Sequence, residues 1–166
     1  MGERVGDGRT TVGRRSEREL VVTRTFDAPA RILFKAWTTP ELFMRWWAPK
    51  SMGIPLRSCE MDVRVGGKYR IEFGKDSSQT FAFFGTYVEV IADARIAWTN
   101  EETEDGPVTS VTFAETNGKT LLTFKERYAS KEALDEAFAG MEGGMPEQLD
   151  QLDELLASIG TSDSAP

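Results

Sequence analysis

Leu134, Phe138, Met141, Met145, Leu149, Leu152, Leu156 and Ile159 recur at steps of three and four, so one apolar stripe runs along nearly thirty residues late in the chain. The pattern reads as a single long helix from Ser130, a good N-cap, to about Ile159. A helix of that length with one apolar face has to lie across something broad and flat. Its middle is unusual: Gly140, Gly143, Gly144 and Pro146 are poor helix formers, and Pro146 cannot accommodate the carbonyl of Glu142 in a straight helix. A kink or a break is expected there.

The flat partner is written upstream. Residues 56–65, 68–73, 80–91, 95–100, 108–115 and 119–128 are strand-like, and the breaks between them carry turn chemistry. Gly66-Gly67 suits a tight hairpin, 92–94 a short turn, 104–107 an exposed loop, and Asn117-Gly118 a hairpin turn. Before them, 20–26 reads as a strand closed by Asp27-Ala28-Pro29, and 30–37 as a helix. Thr39-Pro40-Glu41 then starts a second short helix, rich in Leu42, Phe43, Trp46 and Trp47 and stopped by Pro49.

Strand, two short helices, six strands and one long helix define an α+β fold: a curved, seven-stranded antiparallel sheet wrapped around the C-terminal helix, with the short helices plugging one end. A helix about 10 to 12 Å wide does not fill the concavity of such a sheet, so an internal cavity is expected. Residues 19–159 form this domain. Residues 1–18 read as a disordered basic arm, with five arginines against three acidic residues and scattered glycines, either folded back on the acidic body or free in solvent. Residues 160–166 read as a disordered tail.

Composition narrows the chemistry. The 166 residues, 40% hydrophobic and 10% aromatic, suit one domain with a sizeable core. There is no histidine, which excludes an imidazole base, a Ser-His-Asp relay, a Cys-His pair and any His metal ligand. Cys59 is the sole cysteine, so neither an internal disulfide nor a multi-thiolate site can form, and it reads as a small buried hydrophobe. A net charge of -7 argues against nucleic acid and anionic membrane surfaces as partners. No apolar signal core or membrane-length run is present, and a cytoplasmic protein without metal or cofactor is expected.

The stretches Val22-Thr23-Arg24-Thr25-Phe26-Asp27-Ala28-Pro29, Ala36-Trp37-Thr38-Thr39-Pro40-Glu41-Leu42 and Arg45-Trp46-Trp47-Ala48-Pro49 resemble the opening of the START-like helix-grip superfamily, also called SRPBCC. The resemblance is to the branch named after the activator of the heat-shock-protein ATPase. The stretches 62–69 and 140–152 agree with it in order, and the likeness spans about residues 20 to 157. Met145 stands where the family usually has tryptophan, which implies a larger or differently shaped space beneath the helix. The resemblance implies a small hydrophobic or aromatic molecule held between helix and sheet. It implies no reaction.

Lining candidates are Trp37 and Trp46 from the short helices, Tyr69, Phe73, Tyr87, Trp98, Phe113 and Phe124 from the sheet, and Phe138, Met141 and Met145 from the long helix. Neighbours on a helix point about 100° apart, so one of Trp46 and Trp47 faces the pocket mouth or solvent. A two-residue turn at Gly66-Gly67 would pair Arg64 with Tyr69, Asp62 with Ile71 and Glu60 with Phe73. Either that face then lines the cavity with ions, or a bulge shifts the register and sends them outward.

Acid-base candidates are Glu60, Asp62, Tyr87, Glu89 and Glu126, none of them within a catalytic motif. Carriage of an apolar ligand is the leading expectation. The alternatives are an aromatase/cyclase or hydrolase using a carboxylate or tyrosine in the cavity, and a chaperone-interacting module.

Overall fold

The computed structural model describes residues 10–76 and 78–163, with side chains described as far as residue 159. The remainder of the predicted arm, 1–9, and the end of the predicted tail, 164–166, lie outside the described residues. Along the chain run β1 (Thr11–Arg14), β2 (Glu19–Phe26), α1 (Ala30–Thr38), α2 (Pro40–Phe43) and a 3-10 turn (Lys50–Met52). There follow β3 (Leu56–Met61), β4 (Lys68–Asp76), β5 (Gln79–Ile91), β6 (Arg95–Thr99), β7 (Val108–Thr116), β8 (Lys119–Arg127) and α3 (Lys131–Asp163). The strands form one antiparallel sheet in the order β1-β2-β8-β7-β6-β5-β4-β3.

The sheet has eight strands where the sequence predicts seven. The extra one, β1, comes from the stretch read as an arm: Val12 pairs with Val22 and is fully buried, while the Thr11 and Thr23 hydroxyls bond across the strands. A four-residue edge strand with one apolar side chain leaves almost no periodicity to read, because backbone pairing does most of the holding. Arg14 ties this edge to α3, with Nη1 2.6 Å from Asp135 Oδ1 and its guanidinium 4.7 Å from the centre of the Phe138 ring.

No break interrupts α3, which stays helical through Gly140, Gly143, Gly144 and Pro146 and continues past the predicted end to Asp163. Tertiary packing overrides propensity here. Leu134 before the weak segment, Met145 within it and Leu149 and Leu152 after it are all buried in the core. Polar groups of α3 also serve the chain beyond α2. Gln151 Nε2 donates to the carbonyls of Trp46 and Ala48 at 2.8 and 2.9 Å, and Gln148 Nε2 to that of Trp47 at 2.6 Å. These carbonyls precede Pro49, which ends any helical continuation that would have satisfied them.

The turn between β3 and β4 is longer than a two-residue hairpin. Asp62 N–H donates to the Lys68 carbonyl and Gly67 N–H to that of Arg64, so residues 62–67 form the connection. Gly66 has φ +88°, and a Cβ on Gly67 would sit 1.9 Å from the Asp62 carbonyl oxygen, which is why both positions are glycine. Met61 therefore pairs with Tyr69, Cys59 with Ile71 and Leu56 with Phe73. The pairing predicted for Arg64, Asp62 and Glu60 is displaced by three residues. An odd displacement reverses the faces, so the apolar side chains turn inward and the ions outward.

Candidate ligand cavity

The inward face of the sheet alternates cleanly: Tyr69, Ile71 and Phe73 on β4, Phe81, Phe83 and Tyr87 on β5, Trp98 on β6, and Phe124 and Glu126 on β8. Between these side chains and α3 lies a cavity of about 460 Å³. One wall is closed by Trp37, Phe43 and Trp47, and the helix side is supplied by Gly140, Met141, Gly144, Met145 and Gln148. Gly140 and Gly144 hold the space open, since a Cβ built on either meets nothing within 4 Å. Phe81 and Phe83 are 45% and 41% exposed and form an aromatic rim with Phe73, against which Phe81 stacks at 5.3 Å.

Eight of the eleven predicted lining residues meet here: Trp37, Tyr69, Phe73, Tyr87, Trp98, Phe124, Met141 and Met145. Three do not. Trp46 is fully buried behind Trp37, its ring nitrogen donating to the Ala36 carbonyl at 3.1 Å, and Trp47 takes the position on the cavity wall. Phe113 packs behind α1 against Phe34 and Trp37. Phe138 lies under Arg14, toward β1. Sequence reasoning missed Met61, Ile71, Phe81 and Phe83, which share a face with Tyr69 and Phe73. Only the register of the long turn would have revealed the first of these.

The predicted acid-base groups separate sharply. Asp62 and Arg64 pair with each other at 2.9 Å in solvent, Glu60 sits exposed opposite Arg70, and Glu89 binds Arg95 at 2.5 Å. Tyr87 and Glu126 face the cavity. Burial pushes the Tyr87 and Tyr69 phenols well above their ordinary values, so both stay neutral, and it pushes the Cys59 thiol up to about 12, which makes that sulfur a poor nucleophile.

Glu126 is the polar centre of the site and is only 9% exposed. Its Oε2 accepts from the Thr109 hydroxyl at 2.7 Å and its Oε1 from the Tyr128 hydroxyl at 2.5 Å. Burial raises its carboxyl above the ordinary 4.5, and the two hydroxyl donors oppose that rise. Behind it, Asn100 Nδ2 donates to Thr109 Oγ1 at 2.9 Å, and the Tyr69 hydroxyl bonds the Thr99 carbonyl at 2.9 Å. The indole nitrogen of Trp37 is buried without a hydrogen-bond partner.

A curved antiparallel sheet closed over a long C-terminal helix, with an apolar cavity between them, is the helix-grip class of domain. The chain belongs to the family described as Activator of Hsp90 ATPase homolog 1-like protein, whose model matches residues 27–157. A Rhodobacter sphaeroides protein of known crystal structure is similar over 90% of this chain and 99% of its own, at 25% identity and TM-score 0.82. A Mycobacterium smegmatis protein shares the fold at TM-score 0.76 and 23% identity, covering 89% of this chain and 96% of that one. The AHSA1-like protein from Aeromonas hydrophila does so at TM-score 0.68 and 23% identity, covering 84% and 94%. No curated protein matches the sequence. No helix among the described residues is long and apolar enough to cross a membrane.

Proposed function

We propose that this protein binds and carries a small hydrophobic or aromatic molecule in the cytoplasm, enclosed between α3 and the β4–β6 part of the sheet. The observation that carries this reading is the cavity itself: about 460 Å³ of space, walled by aromatic and methionine side chains and kept open by two glycines of α3. Protein interiors close-pack, so an apolar space of this size is unusual unless something occupies it. The exposed rings of Phe81 and Phe83 offer an apolar solute an aromatic surface at the cavity's rim.

Mass spectrometry of the purified protein under native and then denaturing conditions tests the reading. The expected result is a small apolar compound that leaves only on unfolding, and whose retention is lost in Gly144→Leu, which fills the cavity from the helix side. Equal retention in the native protein and in Gly144→Leu would contradict it.

The family description favours a second reading, contact with a chaperone of the Hsp90 class. The sheet's outer face offers Phe84 and Val88, both exposed on β5, as the apolar contact. Direct binding to purified chaperone, abolished by Phe84→Ser and untouched by Gly144→Leu, would support it.

A further inference from the structure

Among the described residues Glu126 is the only charged side chain on the cavity wall, and each of its oxygens meets a hydroxyl donor. The Asn100 side-chain amide donates to the Pro107 carbonyl at 2.8 Å and to Thr109 Oγ1 at 2.9 Å. Thr109 therefore has one proton left to give, and it goes to Glu126 Oε2. Tyr128 presents a second hydroxyl to Oε1. Two donors converging on both oxygens is an arrangement that serves a carboxylate anion.

Among the described residues no lysine or arginine pairs with this group, and the other charge acting on it, Glu102, is negative. A buried charge without a counter-charge is costly. The cavity wall around it is aromatic: Trp37, Tyr69, Tyr87, Trp98 and Phe124 line it, with Trp98 6.2 Å from Tyr69 and 6.1 Å from Trp37 between ring centres. The faces of such rings carry negative partial charge and attract cations.

We infer that the molecule held in this cavity is an amphipathic amine, its ammonium group seated against the Glu126 carboxylate within the ring cluster and its apolar body extending toward Phe81 and Phe83. The inference rests on the carrier reading above and adds the chemical class of the ligand. An ammonium supplies the counter-charge that Glu126 lacks, and the same group satisfies the aromatic faces. An alcohol of equal shape supplies only a hydrogen bond, and a carboxylate is repelled.

Calorimetric titration of the full chain with naphthylethylamine, naphthylethanol and naphthylacetate tests this. The amine should bind at least about tenfold more tightly than the alcohol, with the acetate weakest. In Glu126→Gln, the amine's affinity should fall to that of the alcohol while the alcohol's stays within about twofold, because the amide keeps the shape and loses the charge. Should the alcohol or the acetate match the amine in the native protein, the amine inference is overturned and the carrier reading stands. Binding of none of the three would overturn both. An amine preference that survives in Glu126→Gln, with a native far-ultraviolet spectrum, would remove Glu126 from the site. If Glu126→Gln does not fold, the order of the three affinities in the native protein decides alone.

Discussion

The two halves of α3 meet the same sheet in opposite ways. Toward its C-terminal end, Leu149, Leu152, Leu155 and Leu156 are buried in the core, and Arg24 reaches up from β2 to clamp it. Arg24 is 1% exposed, with Nη1 2.5 Å from Asp150 and Nη2 3.1 Å from Asp153. Toward its middle the helix presents Gly140, Met141 and Gly144, and the sheet answers with side chains that stop short of it. One end is a packed interface and the other a vault. Stability is thereby concentrated away from the cavity, so the site is free to carry a buried carboxylate and an unsatisfied indole N–H, both of which weaken a core.

Truncation should separate the halves most clearly. Leu152→Ala removes a fully buried side chain from the packed half and should cost about 3 kcal/mol, whereas Met141→Ala on the cavity wall should cost about 1 kcal/mol or less, since space already exists beside it. Urea unfolding monitored by circular dichroism measures both. Next in size is the clamp: Arg24→Ala should cost about 2 kcal/mol, below the full value of a broken buried pair because Asp150 and Asp153 keep contact with water.

Glycine substitution inverts the sign. Gly144→Ala should raise stability by about 0.5 to 1 kcal/mol through helix propensity while narrowing the cavity, so the melting temperature rises as affinity for naphthylethanol falls. Residues 149–159 of the packed half hold no glycine.

The last contrast is electrostatic. The folded state holds the Glu126 proton more tightly than the unfolded chain does, so from about 4.5 up to its raised value Glu126 subtracts stability as pH climbs. Thr109 and Tyr128 moderate this and Glu102 adds to it. The stability of the native protein relative to Glu126→Gln should therefore fall with rising pH across that window. A flat difference would mean that Glu126 titrates as an ordinary surface carboxylate.

The same contrast governs what the sequence could reveal. The packed half announces itself in the stripe Leu149, Leu152, Leu156, and the order of elements follows from turn chemistry and periodicity, both of which are local. The vault depends on pairing across the sheet. Residues 62–67 look like a two-residue glycine hairpin until the backbone is traced, and the three-residue displacement decides whether Met61 or Asp62 faces inward. Trp46 and Trp47 are equally plausible wall residues in sequence, and the indole bond of Trp46 to Ala36 decides between them. Phe138 fits the helical stripe and yet serves β1, a strand too short to read. Glu126 was visible only as one of five acid-base candidates, because burial is not written in one residue's neighbours along the chain.

Amide chemical-shift mapping of isotope-labelled protein titrated with naphthylethanol tests the division of the molecule most directly. Shifts should cluster on β4–β6 and on residues 140–148 of α3, leaving β1, β2 and residues 152–159 unmoved. Shifts centred on β1 and β2, or none at saturating probe, would contradict the account.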